Sequence, residues 1–360
     1  MRSLCFGALR FGVCAVSLCA VGSEAGEDAE APRGLTAVEG LSVGHHTLAE
    51  KPTGCTVILT GKGAVAGVDV RGGAPGTRET DLLDPSTLVQ SVHAIVLSGG
   101  SAYGLDAAGG VMRFLEEAGI GYPVSGGVVP IVPAAIIFDL PLNDMFGVRP
   151  TADCGYRAAR DATTGLIAEG NVGAGAGATL GKMAGTARAM KGGLGTASLT
   201  LPGGLTIAAL VVVNAWGDVI DPATGKVIAG VRTLDGKGLA DARRLLRSGT
   251  PRTASRPDGN SVVGVVATNA QLTQAEARKV AQMAHDGYAR AIAPVHTPFD
   301  GDTIFALATG RHSGSQPLGV IGALAADVMA EAILRAVRQA ESIPGYPAAK
   351  DLESNHTESP

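Results

Sequence analysis

Apolar and polar positions along this chain fall into short blocks separated by glycine turns. Cys55–Thr60, Ala64–Val70 and Ala94–Leu97 are apolar runs of strand length, and such runs predict strands buried in a layered core. Leu105–Ala118 spaces its apolar residues at helical intervals and predicts a buried helix. Leu205–Val213 reads as a further strand ending at Asn214, where Trp216-Gly217-Asp218 turns the chain. Ser261–Thr268 is a nearly unbroken apolar strand. Thr273 with Glu276 three residues on forms a capping box that opens a helix to about Ile292. Asp300-Gly301-Asp302 then turns into a strand over Thr303–Ala308, and Leu318–Ala340 is a long, Ala-rich amphipathic helix.

Between Leu234 and Asn260 the pattern changes to polar residues with Arg243, Arg244, Arg247, Arg252 and Arg256, broken by Gly and Pro. A charge run of this kind predicts a solvated, mobile surface segment, and here it leads directly into the buried strand at Ser261. The chain is 46% hydrophobic, enough for a large core, and its 52 glycines with only 4% aromatics suit closely stacked layers of helix and sheet. With 17% charged residues and a net charge of -4, it has no general attraction for nucleic acid or an anionic membrane. No interior stretch is long and apolar enough to span a bilayer.

At the N-terminus, Arg2 and Arg10 precede an apolar run from Phe11 to Val21, with Ala20-Val21-Gly22 as a small-residue cleavage site. Residues 1–22 therefore read as an export signal, the alternative being an apolar extension on a cytoplasmic protein. Cys5, Cys14 and Cys19 lie in that leader, which leaves Cys55 and Cys154 in the body. Whether those two pair is left open by the sequence, and no spacing suggests a metal site. His285 and His296 lack zinc spacing and read as core or surface histidines.

A hydroxyl residue that opens a buried strand behind a mobile segment is the arrangement required by a self-processing N-terminal nucleophile. Attack by the Ser261 hydroxyl on the Asn260 carbonyl, an N-to-O acyl shift and hydrolysis would leave Ser261 with a free amine. An unperturbed amine of pKa about 7.7 to 8.0 can act as general base for the same hydroxyl, so neither histidine nor cofactor is needed. Taken alone, Asn-Ser is a common turn dipeptide.

The wider pattern resembles the family of L-aminopeptidase/D-esterases, β-peptidyl aminopeptidases and nylon-oligomer hydrolases. The resemblance runs from about Gly34 to Arg338. It is carried by Val70-Arg-Gly-Gly-Ala-Pro-Gly-Thr-Arg-Glu-Thr80, Leu97-Ser-Gly-Gly-Ser-Ala-Tyr-Gly104, Val129-Pro-Ile-Val-Pro-Ala-Ala-Ile-Ile-Phe-Asp139, Gly177-Ala-Thr-Leu-Gly-Lys182, Met190-Lys-Gly-Gly-Leu-Gly-Thr-Ala-Ser198, Val211-Val-Val-Asn214 and Asp300-Gly-Asp-Thr-Ile-Phe305. It implies a four-layer αββα sandwich, cut at Asn260-Ser261 into a large subunit (34–260) and a small one (261–360) that stay in one folded domain. It further implies a homo-oligomer of processed pairs acting on small peptides, amides or esters, with no cofactor.

By the same resemblance, Ser261 is the nucleophile and Asn214 helps hold the oxyanion. Lys182 is a cation near the nucleophile, and Asp300 and Asp302 are the polar pair set against it. Because positions i and i+2 of an extended chain share a side, both carboxylates are expected to face one site. Serine at the cut is the aminopeptidase pattern, whereas the Asp pair is nearer the nylon-hydrolase pattern; Phe138 stands where that type has tyrosine. Ser101 and Tyr103 are candidates for the substrate pocket.

Other readings of the motifs fail on spacing. In Gly173–Lys182, Ala176 occupies the first glycine of a phosphate loop and Met183 its Ser/Thr, so the stretch reads as a substrate-site or packing loop. Tyr103 replaces the second glycine of a nucleophile elbow. Two functional alternatives remain: an acyltransferase of similar fold passing the acyl group to an amine, and a non-catalytic protein whose chain stays uncut.

Overall fold

The computed structural model describes Met1 and residues 34–249 and 259–352. Apart from Met1, the leader read over residues 1–22, with Cys5, Cys14 and Cys19, and the part of the Arg-rich segment holding Arg252 and Arg256 lie outside the described residues.

Eight strands frame the described chain: β1 (Ser42–Thr47), β2 (Gly54–Val70), β3 (Ser91–Ser98), β4 (Ala134–Ile136), β5 (Gly193–Thr200), β6 (Thr206–Asn214), β7 (Ser261–Thr268) and β8 (Thr303–Ala308). The helices are α1 (Ala107–Glu117), α2 (Ala152–Arg160), α3 (Ala242–Arg247), α4 (Gln274–Ala291) and α5 (Leu318–Arg338). Strands predicted as two, Cys55–Thr60 and Ala64–Val70, are one 17-residue strand. It bends where the register shifts between Leu59 and Ala64, and Gly61 (φ 62°) and Gly63 (φ 121°) supply the left-handed backbone there.

That bend lets β2 serve two sheets. Its first half pairs with β1 and β3, and its second half with β8. Along the hydrogen-bonded path the order is β5-β6-β7-β8-β2-β3-β4. Side-chain alternation then separates three cores. Val262, Val266, Ile304 and Ala306 turn toward α4 and α5, in a cluster with Ala284, Tyr288 and Met329. Val263, Val265, Phe305 and Leu307 turn the other way and meet Ile58, Ile95 and Leu97 between the sheets. Cys55, Val57, Ala94 and Val96 face α1 and α2 on the far side. Three stacked cores require four layers, which is the αββα sandwich expected from the sequence.

Local chemistry explains the ends of these elements. The capping box of α4 is present, with Thr273 and Glu276 satisfying each other's backbone N–H groups. A disulfide joins Cys55 of β2 to Cys154 of α2 across a Cα–Cα distance of 6.2 Å, answering the question the sequence left open. The solvated segment predicted from Leu234 contains instead the short helix α3. Its N-cap Asp241 accepts from the Arg243 amide at 3.0 Å, and the buried Asp218 carboxylate accepts from Val231 at 2.7 Å and Ala242 at 2.6 Å. Composition identified the Arg-rich surface but not this anchor, which sits on the preceding strand segment. Among the described residues no helix is long and apolar enough to cross a membrane.

Candidate active site

Parallel pairing of β7 with β8 sets Val263 beside Thr303, and a bridge ahead of it sets Asn260 beside Asp300. Gly301 therefore lies abreast of Ser261. Its backbone N–H donates to the Asn260 carbonyl at 2.8 Å, and the Ser261 hydroxyl donates to the same oxygen at 2.6 Å. A Cβ at position 301 would stand 2.5 Å from Ser261 Oγ, so only glycine leaves room for this approach. Ser261 is 2% exposed and Asn260 1%. Among the described residues the Asn260 side-chain amide has no hydrogen-bond partner.

On the other edge, antiparallel β6 brings Asn214 opposite Ser261. Both residues are in step with the inter-sheet positions of their strands, Val212 and Val263, so they share the end of that layer. The Asn214 Oδ1 accepts from the Thr179 amide at 3.0 Å and from Lys182 Nζ at 2.8 Å. An ammonium only donates, which fixes the amide's orientation and leaves Nδ2 to donate to the Phe138 carbonyl at 3.3 Å.

Thr179 and Lys182 sit on or beside the glycine-rich loop, and the residue that shapes this loop was not singled out from the sequence. Lys191 is fully buried, and its ammonium donates to the carbonyls of Gly175 at 2.9 Å, Ala178 at 3.0 Å and Gly192 at 2.9 Å. Burial pulls its pKa down to about 7, against the opposing charge of Asp139. The loop is thus wrapped around a cation belonging to the chain itself. Lys191 lies within Met190–Ser198, one of the stretches that carry the resemblance, but a lysine amid glycines gives no sign of burial.

The two carboxylates depart from the expectation of a single shared face. Asp300 turns back onto its own loop, accepting from the Thr297 amide at 2.9 Å and the Thr297 hydroxyl at 2.5 Å. Asp302, in step with Ile304, turns toward the helix layer. There one oxygen accepts from the Val262 amide at 2.8 Å and the other from the His296 amide at 3.0 Å and His296 Nδ1 at 2.8 Å. Their proximity persists electrostatically: burial, and after it the charge of Asp302, pushes Asp300 up to about 6. The i, i+2 relation fails at Asp300, which is tied into the turn at Thr297, whereas Asp302 directly precedes the strand at Thr303 and keeps step with Ile304. His296, read as a core or surface histidine, belongs to this cluster, and its one sequence signal was its nearness to the Asp pair.

Backbone contacts explain another of the sequence stretches. Arg71 and Gly72 donate to the Asp302 carbonyl at 3.0 and 3.3 Å, and Ala74 donates to that of Asp300 at 2.8 Å. A cavity of about 190 Å³ opens beside the site, lined by Phe138, Leu142, Lys182, Gly259 and Tyr346 among others. Because Gly259 forms part of its wall, it lies on the acyl side of the Asn260-Ser261 bond. Ser101 and Tyr103 are not part of that lining. Tyr103 is half exposed under the Arg149 guanidinium, 3.7 Å from its ring centre, and Ser101 spends its amide on the Ile137 carbonyl at 3.0 Å.

A four-layer αββα sandwich with a hydroxyl residue at the head of a central strand defines the class of N-terminal-nucleophile hydrolase folds. The sequence model of peptidase family S58 matches residues 34–350, and the chain belongs to that family. An uncharacterised aminopeptidase of Mycobacterium tuberculosis is 45% identical over 344 residues, covering 88% of this chain and 97% of the relative. A 6-aminohexanoate-oligomer endohydrolase of Paenarthrobacter ureafaciens is 32% identical over 315 residues, covering 82% and 84%. Among solved structures, a Burkholderia β-aminopeptidase superposes with a TM-score of 0.65 at 26% identity, covering 90% of this chain and 93% of that one. The L-aminopeptidase D-Ala-esterase/amidase of Ochrobactrum anthropi has the same fold, with a TM-score of 0.65 at 21% identity over 89% and 91% of the two chains. The protein is a hydrolase of peptide or amide bonds.

Two stability predictions follow from the buried charges. Lys191→Met keeps most of the volume but strands three buried carbonyls, and urea unfolding should register a loss of at least about 3 kcal/mol. For Asp300, the unfolded carboxyl ionises near its usual 3.8 while the folded one waits until about 6, so its ionisation destabilises the fold as pH rises through that window. Asp300→Asn removes this effect. The variant should gain stability over the parent between pH 4 and 6, hold that gain at pH 8, and show none near pH 3.5 by urea midpoints.

Proposed function

We propose that the chain cuts itself at Asn260-Ser261 and then works as an aminopeptidase-like amidohydrolase with Ser261 as its N-terminal nucleophile. The observation that carries this reading is the Asn260 carbonyl held by both the Ser261 hydroxyl and the Gly301 N–H. In the first step Ser261 Oγ bonds to the Asn260 carbonyl carbon, and the developing oxyanion stays on the Gly301 donor. The C–N bond breaks, the hydroxyl proton ends on the departing nitrogen, and water hydrolyses the resulting ester. Burial of the unpaired Asn260 amide supports the same reading, because an unsatisfied polar group costs about 1 to 3 kcal/mol that departure of the segment relieves.

In turnover the freed amine takes the Ser261 hydroxyl proton as that oxygen attacks a substrate carbonyl. Asn214 is suited to receive the oxyanion: Lys182 and Thr179 hold its Oδ1, and its Nδ2 makes only a long bond to Phe138 that a substrate oxygen can replace. The cavity walled by Phe138 and Gly259 takes the acyl portion of the substrate, and its volume suits a single small residue. The relatives named as aminopeptidases support removal of an N-terminal residue. The Asp300–Asp302 pair and the relatives named 6-aminohexanoate-oligomer endohydrolases favour, as a second reading, a small linear amide. Export is part of the proposal, supported by the leader pattern and by the Cys55–Cys154 disulfide, which persists in oxidising compartments. The family resemblance supports assembly of processed pairs into a homo-oligomer.

Purified chain that retains its leader, 36.0 kDa in full, should resolve on a denaturing gel into fragments of about 26 and about 10 kDa, and the smaller should begin Ser-Val-Val-Gly. Ser261→Ala should stay as one band and lose hydrolysis of aminoacyl p-nitroanilides by at least about 10³-fold. An uncut parent chain that still turns over these amides would overturn the proposal.

A further inference from the structure

Asp302 is fully buried beside the Ser261 strand, yet nothing in that strand orients it except the Val262 amide. Its second oxygen is held entirely by His296, through the backbone N–H at 3.0 Å and ring Nδ1 at 2.8 Å. To present both donors to one oxygen, His296 adopts φ 58°, in the left-handed region that few residues other than glycine enter. Its ring is packed on two sides: the His285 ring centre lies 4.8 Å away edge-to-face, and Tyr288 stacks at 6.0 Å. Burial pulls His285 down to about 3, so that neighbour stays neutral.

We propose that His296 is a positioning residue for Asp302, a ring donor that locks the carboxylate so that its other oxygen stays on the Val262 amide, next to the amine that cleavage creates. A carboxylate free to rotate about its last torsion would exchange its oxygens between these partners. With His296 occupying one oxygen through two donors, the carboxylate has one setting, and its negative charge lies at a fixed place one residue from the Ser261 nitrogen. The ring nitrogen Nε2 takes no part, since it is buried without a hydrogen-bond partner among the described residues. The role therefore needs a donor at the Nδ1 position and a tolerated left-handed backbone, and needs no imidazole acid–base chemistry. This inference rests on the reading of Ser261 as nucleophile.

Three replacements separate these requirements. Asparagine tolerates the left-handed region and offers an amide donor where Nδ1 lies; glycine tolerates the backbone but removes the donor; alanine removes the donor and strains the backbone. Full-length His296→Asn, His296→Gly and His296→Ala would be compared with the parent and with Ser261→Ala for the rate of self-cutting and for kcat and KM on an aminoacyl p-nitroanilide. The expected result is that the glycine and alanine variants lose about 10- to 100-fold in kcat, the range of a charge-assisted hydrogen bond, with KM changed less than about twofold. Asparagine should stay within about threefold of the parent. A glycine variant as active as the parent would overturn the proposal by reducing the role to backbone conformation. An asparagine variant as impaired as alanine would overturn it in favour of ring packing or imidazole chemistry. If Ser261→Ala retains activity, the nucleophile reading itself fails, an outcome the His296 series cannot produce.

Discussion

The parallel entry of β7 and β8 is the constraint on which the site depends. Parallel neighbours place the residues preceding each strand side by side, so Asn260-Ser261 and Asp300-Gly301-Asp302 run together before either strand becomes regular. One peptide group, Gly301, then faces the Asn260 carbonyl, while the acids to either side bend away to opposite partners. Shifting the register by one residue would replace Gly301 with a carboxylate whose Cβ has no space beside the Ser261 hydroxyl. The long strand β2 enforces that register from the far edge of β8, and its Arg71–Ala74 extension clasps the acid loop through backbone donors alone.

Buried charge forms a second level of support. Lys191 inside the glycine-rich loop and Lys182 on Asn214 are both removed from solvent, Lys191 donating to three backbone carbonyls and Lys182 to the Asn214 amide oxygen. Carbonyl and amide oxygens solvate an ammonium without adding a charge of their own, so these lysines hold the loop and the Asn214 amide in place through directed donors. Asp302, shielded from the inter-sheet side, adds its negative charge near the Ser261 nitrogen instead.

Much of this was legible in the sequence where the signal is local. Apolar runs located the strands, Thr273 and Glu276 announced the helix start, and separated motifs implied the layered fold. What escaped depended on long-range placement. The bend that makes one strand of Cys55–Val70 hides in Gly61 and Gly63, which also look like an ordinary turn. The anchoring of α3 depends on Asp218, more than twenty residues earlier. His296 carries no local signal, because its spacing excludes only a metal site and its left-handed backbone is not visible in composition. Ser101 and Tyr103 belong to a stretch that carries the resemblance, yet neither lines the cavity walled by Phe138 and Gly259.

In the proposed reaction the hydroxyl of Ser261, once its amine is freed, takes the acyl group of the substrate. The covalent adduct can be mapped: the cut protein is mixed with a slowly hydrolysed activated ester, quenched in acid, digested with pepsin without leaving acid, which keeps the amine protonated and the acyl group on oxygen, and examined by tandem mass spectrometry. The expected result is one base-labile acyl ester on the side-chain oxygen of Ser261, at the N-terminus of the small fragment, and none on uncut chain. An adduct on another side chain, or equal labelling of cut and uncut protein, would contradict it.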